Sequence, residues 1–319
     1  MKKILIIRFS SIGDVVLTTP VIRCVKQQLA VEVHYLTKAS FAGLLESNPY
    51  VDRVHTIDKN VDHALVQKLR AEQFDFVIDL HNNLRTLRLK SALKVPSKSF
   101  PKLNVQKWLL VTFKVRRMPD VHIVDRYLET VKHLGVENDG EGLDYFIPEG
   151  SVVELNRLPE THASGYVAVV IGGQHATKMM PLAKLIEVCH ALKSPVVLLG
   201  GPEDAAKGEA ISDAIGPQVF NACGKFKLDE SASLVQQALW VITHDTGLMH
   251  VAAAFKKRIV SVWGNTVPEL GMHPYLPDAG SKMVEIKNLS CRPCSKIGFS
   301  KCPKKHFHCM NHDVDDIVN

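Results

Sequence analysis

The chain has 319 residues, 46% hydrophobic and 23% charged, with a net charge of +6 and a mean hydropathy of +0.02. That composition is ordinary for a globular protein, and the length suits two domains, each able to bury a core. No apolar run reaches the roughly 18 residues of a membrane-spanning helix, so no span is expected. The start, MKKILII, has the opening of a signal peptide, but Arg8 interrupts it and Gly13-Asp14 follow without a small-residue cleavage pattern. It therefore reads as a first buried strand, with a cytoplasmic location.

Ile4–Ile7 is continuously apolar, as a strand buried on both faces should be. A helix is expected over Val15–Leu29, strands over Val31–Leu36 and Arg53–Ile57 with a helix near Ala39–Glu46 between them, a helix over Asp62–Glu72 and a strand over Phe74–Leu80. From Leu84 to Pro119 the chain carries ten basic residues and no acidic one. A block of one sign attracts an anionic partner. Its apolar residues Trp108, Leu109, Leu110, Val111 and Phe113 suit a surface that also touches lipid. The plainer reading is an ordinary helix with a solvated basic face. A helix over Val124–Leu134 is stopped by Gly135.

The pattern then restarts. Strands are expected at Tyr166–Ile171, Val196–Leu199, Val219–Asn221, Trp240–Thr243 and Arg258–Trp263. Helices fall between them at Leu182–Leu192, Glu203–Ile215, Ser231–Ala238 and Leu248–Phe255. Glu149–Ser164 is polar, lacks periodicity and is flanked or broken by Pro148 and Pro159, so it is read as a hinge. Alternating strands and helices mean parallel sheets. The expected class is α/β: two Rossmann-like domains, residues 1–155 and 156–319, with parallel sheets facing a central cleft.

Ligands of such sheets bind beyond the carboxyl ends of the strands. The first strand ends in Arg8-Phe9-Ser10-Ser11-Ile12-Gly13-Asp14. That loop lacks the glycine fingerprint of dinucleotide sites and the P-loop lysine. It offers two hydroxyls, a glycine and a carboxylate near a helix start; Asp14 reads equally as a first-turn acid favoured by the helix dipole. Gly172-Gly173-Gln174-His175-Ala176-Thr177-Lys178 follows a strand, where glycine backbone can approach phosphate and Lys178 adds a point charge. The alternative is a glycine turn with a solvated lysine. Asp245, Thr246 and Gly247 open a helix where backbone donors are free, and His250 lies one turn on. That combination suits sugar hydroxyls and a diphosphate, or else a helix cap with a core-facing histidine.

The segments KILIIRFSSIGDVVLTTPVIRCVK, IGGQHATKMMP, VVLLGGPED and VITHDTGLMHVAAAF together resemble glycosyltransferase family nine, the ADP-heptose:lipopolysaccharide heptosyltransferases, over nearly the whole chain. The resemblance implies a GT-B fold and inverting transfer of heptose from ADP-heptose to the Kdo and inner-core region of lipopolysaccharide. It implies Asp14 as the base for the acceptor hydroxyl, Lys178 at the donor diphosphate, Asp245 on hydroxyls of the transferred sugar, and Thr246 and Gly247 at the diphosphate. His250 matches a recurrent position nearby, and Gly172 and Gly173 belong to the same donor site. Gly173 and Gln174 stand where some members have paired threonines, with Thr177 a partial substitute. The acceptor set is taken as Ser10, Ser11, Gly13, Arg85, Lys102 and Lys107. The anionic core acceptor and the membrane surface are the expected partners, not nucleic acid, and the protein is placed at the inner face of the cytoplasmic membrane. No cofactor is required for the chemistry, and no DxD stands at a strand end to hold a divalent metal.

Cys291-x2-Cys294-x7-Cys302-x6-Cys309 has metal-ligand character, with His306 and His308 nearby. A structural zinc loop, four reduced thiols in a packed loop, and a redox role are all open readings. Asp313–Asn319 resembles the capped start of a helix, of the kind GT-B proteins return to their first domain. Transfer of another nucleotide-activated sugar, a nucleotide-sugar epimerase of the same fold, and a non-catalytic nucleotide-sugar binding protein are the competing functions.

Overall fold

The computed structural model describes residues 2–58 and 60–319. It divides into two compact units: residues 1–102 with 121–146, and residues 103–120 with 147–319. Each unit is thus discontinuous in sequence.

The first unit contains β1 (Lys3–Ile7), α1 (Ile12–Val16), α2 (Thr19–Gln28), β2 (Glu32–Lys38), α3 (Gly43–Glu46), β3 (Arg53–Ile57), α4 (His63–Ala71), β4 (Phe76–Asp79), α5 (Leu84–Leu93) and β5 (Ser97–Ser99). Its strands are parallel in the order β3-β2-β1-β4-β5. Ile4 to Ile7 have no exposed surface, as a central parallel strand demands. The expected helix over Val15–Leu29 is two helices. Pro20 cannot donate to the carbonyl of Val16, so the hydroxyls of Thr18 and Thr19 donate to the carbonyls of Val15 (2.6 Å) and Val16 (2.8 Å) instead. Leu5, Ile7, Phe9, Leu36, Val77 and Leu89 are among the side chains of the core on this sheet.

After α6 (Asn104–Phe113), which lies with the second unit, α7 (Ile123–Leu128) returns to the first. The stretch expected as a longer helix shortens to α7 and a 3-10 turn, Lys132–Leu134. Arg23 on α2 ties down the chain that follows, meeting Asp139 at 2.7 Å and pairing with Asp144.

The second unit continues with β6 (Val167–Val170), α8 (Leu182–Ala191), β7 (Val196–Leu199), α9 (Ala205–Ile215), β8 (Val219–Asn221), α10 (Leu228–Gln237), β9 (Trp240–His244), α11 (Gly247–Ala254), β10 (Ile259–Trp263), β11 (Lys282–Glu285) and α12 (Asp315–Val318). Its parallel sheet runs β11-β10-β9-β6-β7-β8. The stretch read as a hinge is packed onto this unit. The Val153 amide donates to Ser233 Oγ at 2.9 Å, Gln237 Nε2 donates to the Val153 carbonyl at 3.0 Å, and Leu158 is buried. The terminal α12 also belongs here, with Ile317 in the core of the second sheet. No helix among the described residues is long and apolar enough to cross a membrane.

Candidate active site

Both sheets reverse their strand order once, in the first unit at β1 and β4 and in the second at β6 and β9. At such a point the loops leaving two neighbouring strands run to opposite sides of the sheet, and ligands of open α/β sheets bind at the carboxyl edge there. Asp14 stands just past β1; Lys178 and Asp245 stand past β6 and β9.

In the first unit, Asp14 occupies the first turn of α1. Its Oδ2 accepts from the Ser11 amide (3.1 Å) and hydroxyl (2.9 Å), and its Oδ1 meets Arg8 Nη2 at 2.5 Å. So Asp14 is the first-turn acid of the plain reading, accepting back from the N-cap Ser11, and is also half of an ion pair. Burial favours the neutral acid, but the Arg8 charge and the Ser11 donors outweigh it and hold Asp14 below the ordinary carboxylate range. Arg8 is itself fixed: Nη1 donates to the Leu80 carbonyl (2.7 Å) and the Tyr127 hydroxyl (3.1 Å), and Nε to the Ser10 carbonyl (2.9 Å).

On the β4 side, Asp79 accepts from the amides of His81 (3.1 Å) and Asn82 (2.7 Å) and pairs with Lys90 at 2.8 Å. That carboxylate shapes the turn carrying His81. Burial, with the charges of Arg8 and Lys102, pushes His81 down to about 4, so its ring is neutral. The Arg85 guanidinium lies 5.1 Å from the centre of the Phe9 ring. Ser10, Ser11, Gly13, Asp14 and Arg85 therefore gather at one strand-end region, with Lys102 within electrostatic reach of His81. Lys107 is elsewhere, on α6 with the second unit. Arg8 and His81 had no assigned role in the sequence reading; a charged residue ending a fully apolar strand was the available signal.

In the second unit, Lys178 Nζ lies 2.7 Å from Asp245 Oδ2, which also accepts from Thr266 Oγ1 at 2.9 Å. His244 at the end of β9 accepts from the Met180 amide at 2.9 Å and so ties the Lys178 loop to the Asp245 loop. Burial, reinforced by Lys207 and His312, drives His244 down to about 3 and keeps it neutral. A Cβ on Gly172 would stand 2.2 Å from Asp204 Oδ2 and 3.1 Å from Gly200 Cα, so this glycine admits the neighbouring turn. A Cβ on Gly173 would fall 3.2 Å from Met179 Cγ and 3.3 Å from Thr246 Cγ2, which places the glycine loop beside the start of α11. His250 is 2% exposed, within α11.

Thr177, expected among the diphosphate contacts, has a structural partner. Its hydroxyl is buried, accepting from the Phe299 amide (2.8 Å) and donating to the Phe299 carbonyl (3.2 Å). It thus anchors the cysteine-rich loop. In that loop Cys291 Sγ is 3.8 Å from His306 Nε2 and Cys294 Sγ donates to the Cys291 carbonyl at 2.8 Å. Burial pushes the thiols of Cys294 and Cys309 up to about 11, so both are protonated near neutrality. Among the described residues the metal-ligand atoms that come within 4.8 Å of one another in a group belong to His34, His55 and Glu72, not to Cys291, Cys294, Cys302 and Cys309. In the histidine group, His34 Nδ1 and His55 Nε2 hydrogen-bond at 3.0 Å, and Glu72 is taken by Arg53 (2.6 Å) and Lys3 (3.3 Å).

The basic block is likewise divided. Lys90 serves Asp79; Lys114 donates to the carbonyls of Val111 and Pro293, both at 2.6 Å; Arg116 pairs with Glu269. Within α6, Leu110 is buried against Val267 and Leu270, whereas Val105, Trp108 and Phe113 are 67%, 56% and 58% exposed.

The profile of glycosyltransferase family 9 (heptosyltransferase) matches residues 62–303. Lipopolysaccharide heptosyltransferase 1 of Campylobacter coli is 21% identical over 288 residues, 83% of this chain and 84% of that protein. Among solved structures, E. coli ADP-heptose lps heptosyltransferase II gives a TM-score of 0.71 at 20% identity and covers 98% of each chain. E. coli heptosyltransferase WaaC with ADP-2-deoxy-2-fluoro heptose gives 0.65 at 21% identity, covering 88% of this chain and 92% of that one. The two parallel sheets, the family match over most of the length and these likenesses agree: the chain belongs to glycosyltransferase family 9, the heptosyltransferases, and is a glycosyltransferase of the GT-B fold.

Proposed function

We propose that this enzyme transfers heptose from ADP-heptose, with inversion, to an acceptor hydroxyl in the Kdo and inner-core region of lipopolysaccharide. Asp14 takes the acceptor proton. Its pairing with Arg8 keeps it ionised, and a positioned base contributes about 10²–10⁴ in rate. Lys178 and the backbone donors at Thr246 and Gly247 meet the departing diphosphate, whose negative charge they stabilise as the sugar–oxygen bond breaks. Gly173 leaves room for the phosphate beside them. Asp245 accepts from hydroxyls of the transferred sugar. No step runs through a metal. The observation that carries this reading is the Lys178–Asp245 pair at the second sheet's switch point. It puts a cation for phosphate and a carboxylate for hydroxyls side by side. The ADP-heptose analogue named with the WaaC structure supports the choice of donor.

Ser10, Ser11, Gly13, Arg85 and Lys102 are assigned to the acceptor in the first unit, and Lys107 is assigned to it from α6. The exposed Val105, Trp108 and Phe113, beside basic residues, suit the interface of an anionic membrane, with the enzyme working at its cytoplasmic face.

The roles separate in binding and turnover. Asp14→Ala is expected to abolish transfer while ADP affinity stays at the wild-type value, and Lys178→Ala to weaken ADP binding at least tenfold. Full turnover by Asp14→Ala, or wild-type ADP affinity in Lys178→Ala, would remove the corresponding role.

A further inference from the structure

The cysteine-rich loop places a buried arginine behind the Lys178–Asp245 pair. Arg292, 6% exposed, donates from Nε to the Gly264 carbonyl (2.5 Å) and from Nη2 to the Thr266 carbonyl (2.8 Å). Its Nη1 is pinned by Glu285 (2.7 Å) and the Ile286 carbonyl (3.1 Å). A planar guanidinium can hold two carbonyls in one fixed relation; a lysine ammonium on a flexible stem cannot. The loop held this way does not hold itself. Asn265 at its centre is 1% exposed, and neither atom of its side-chain amide has a hydrogen-bond partner among the described residues. The next residue, Thr266, donates its hydroxyl to Asp245.

Other contacts join the same two regions. The Cys294 amide donates to the Asn265 carbonyl (3.1 Å), the Asn265 amide reaches the Thr177 carbonyl (3.4 Å), and Thr177 and Phe299 exchange three hydrogen bonds. A Cβ on Gly264 would lie 2.7 Å from the Thr177 carbonyl, so the arginine-held loop runs directly against the segment carrying Lys178.

We propose that Arg292 is a positioning residue of the donor site: by fixing the Gly264–Thr266 loop it aims the Thr266 hydroxyl at Asp245 and sets where that carboxylate stands beside Lys178. The cysteine-rich loop is then a working wall of the donor site. This rests on the reading of Lys178 and Asp245 as donor residues.

The test uses the full-length enzyme, with ADP as the binding probe and ADP-heptose as the substrate. Thr266→Val and Arg292→Lys should each lower the donor kcat/KM by about 10- to 100-fold, since small misplacements at a reacting centre cost that much. The acceptor KM should not change, and Thr266→Ser, which restores the hydroxyl, should return to within a fewfold of wild type. Residues acting through one link are not additive, so the double variant Thr266→Val/Arg292→Lys should be no worse than its worse parent. Glu285→Gln loosens Arg292 without removing it and takes its place in the cycle if Arg292→Lys does not fold; unfolding midpoints identify that case. Multiplying losses in the double variant, a change confined to the acceptor KM, or unchanged donor kinetics would overturn the proposal. Failure of the wild-type chain to bind ADP would remove the donor reading and this inference with it. Equal ADP binding and donor kinetics in wild type and variants would overturn this inference alone.

Discussion

The Arg8–Asp14 contact ties the basicity of one carboxylate to one guanidinium. With its carboxyl held below the ordinary range, Asp14 is ionised throughout the neutral region. The acid limb of kcat/KM due to this group should therefore lie below about pH 4, the value of a free aspartate. Removing the arginine leaves burial unopposed, and burial raises a carboxylate pKa. Arg8→Ala should move the acid limb upward by at least one pH unit and lower the plateau; a pH–rate profile of the two proteins checks it, and coincident acid limbs would dissociate Asp14 from Arg8. The position of Asp14, after an apolar strand and in the first turn of a helix, was legible from the sequence pattern. Arg8, Thr266 and Arg292 were not, because their partners are 6, 21 and 26–28 residues away and only the fold brings them together. The Thr177–Phe299 contact was unreadable for the same reason, since Phe299 lies far along the chain.

At the scale of elements, apolar runs revealed the central strands well. The internal strand Val196–Leu199 has the bounds expected, and so do the edge strands Arg53–Ile57 and Val219–Asn221, read from their place in the alternation. A parallel sheet covered on both faces writes itself as continuous hydrophobicity. The short strands β5, SKS, and β11, KMVE, at sheet edges carry no such run and went unread. Charge hid α5 and α6 within the basic block, although Asn83 caps α5, accepting from the amides of Arg85 (2.9 Å) and Thr86 (3.0 Å). α6 now separates two kinds of residue that the block had merged. Lys114 and Arg116 have internal partners, whereas Val105, Trp108 and Phe113 face outward. Trp108→Ala with Phe113→Ala should reduce co-sedimentation with vesicles containing anionic lipid and leave the unfolding midpoint unchanged. Equal sedimentation of variant and wild type would remove α6 as a membrane contact.

Across the whole molecule, buried neutral histidines set the acid side of stability. His55 and His81 are pushed down to about 4 and His244 to about 3, mainly by burial. A free histidine titrates near 6.5. Between these values the unfolded chain binds protons that the folded chain does not, so stability rises with pH across about pH 4 to 6.5 and is lost on acidification. Carboxylates held low, such as Asp139 at about 2, lose their contribution only below the ordinary aspartate range and act outside this window. The unfolding temperature should fall from pH 7 to pH 5, less steeply in His55→Gln; a flat profile would contradict the buried neutral state. The two-unit architecture was legible from the restart of the strand–helix alternation, but the assignment of 103–120 to the second unit was not, because it depends on Leu110 finding Val267 and Leu270. The decisive measurement is incubation of the purified chain with ADP-heptose and a Kdo-bearing lipid A acceptor, with product mass and anomeric configuration determined. Stoichiometric ADP release and one heptose added with inverted configuration are expected, and no product with Asp14→Ala. Retention of configuration, or transfer from UDP-sugars but not from ADP-heptose, would overturn the proposed reaction.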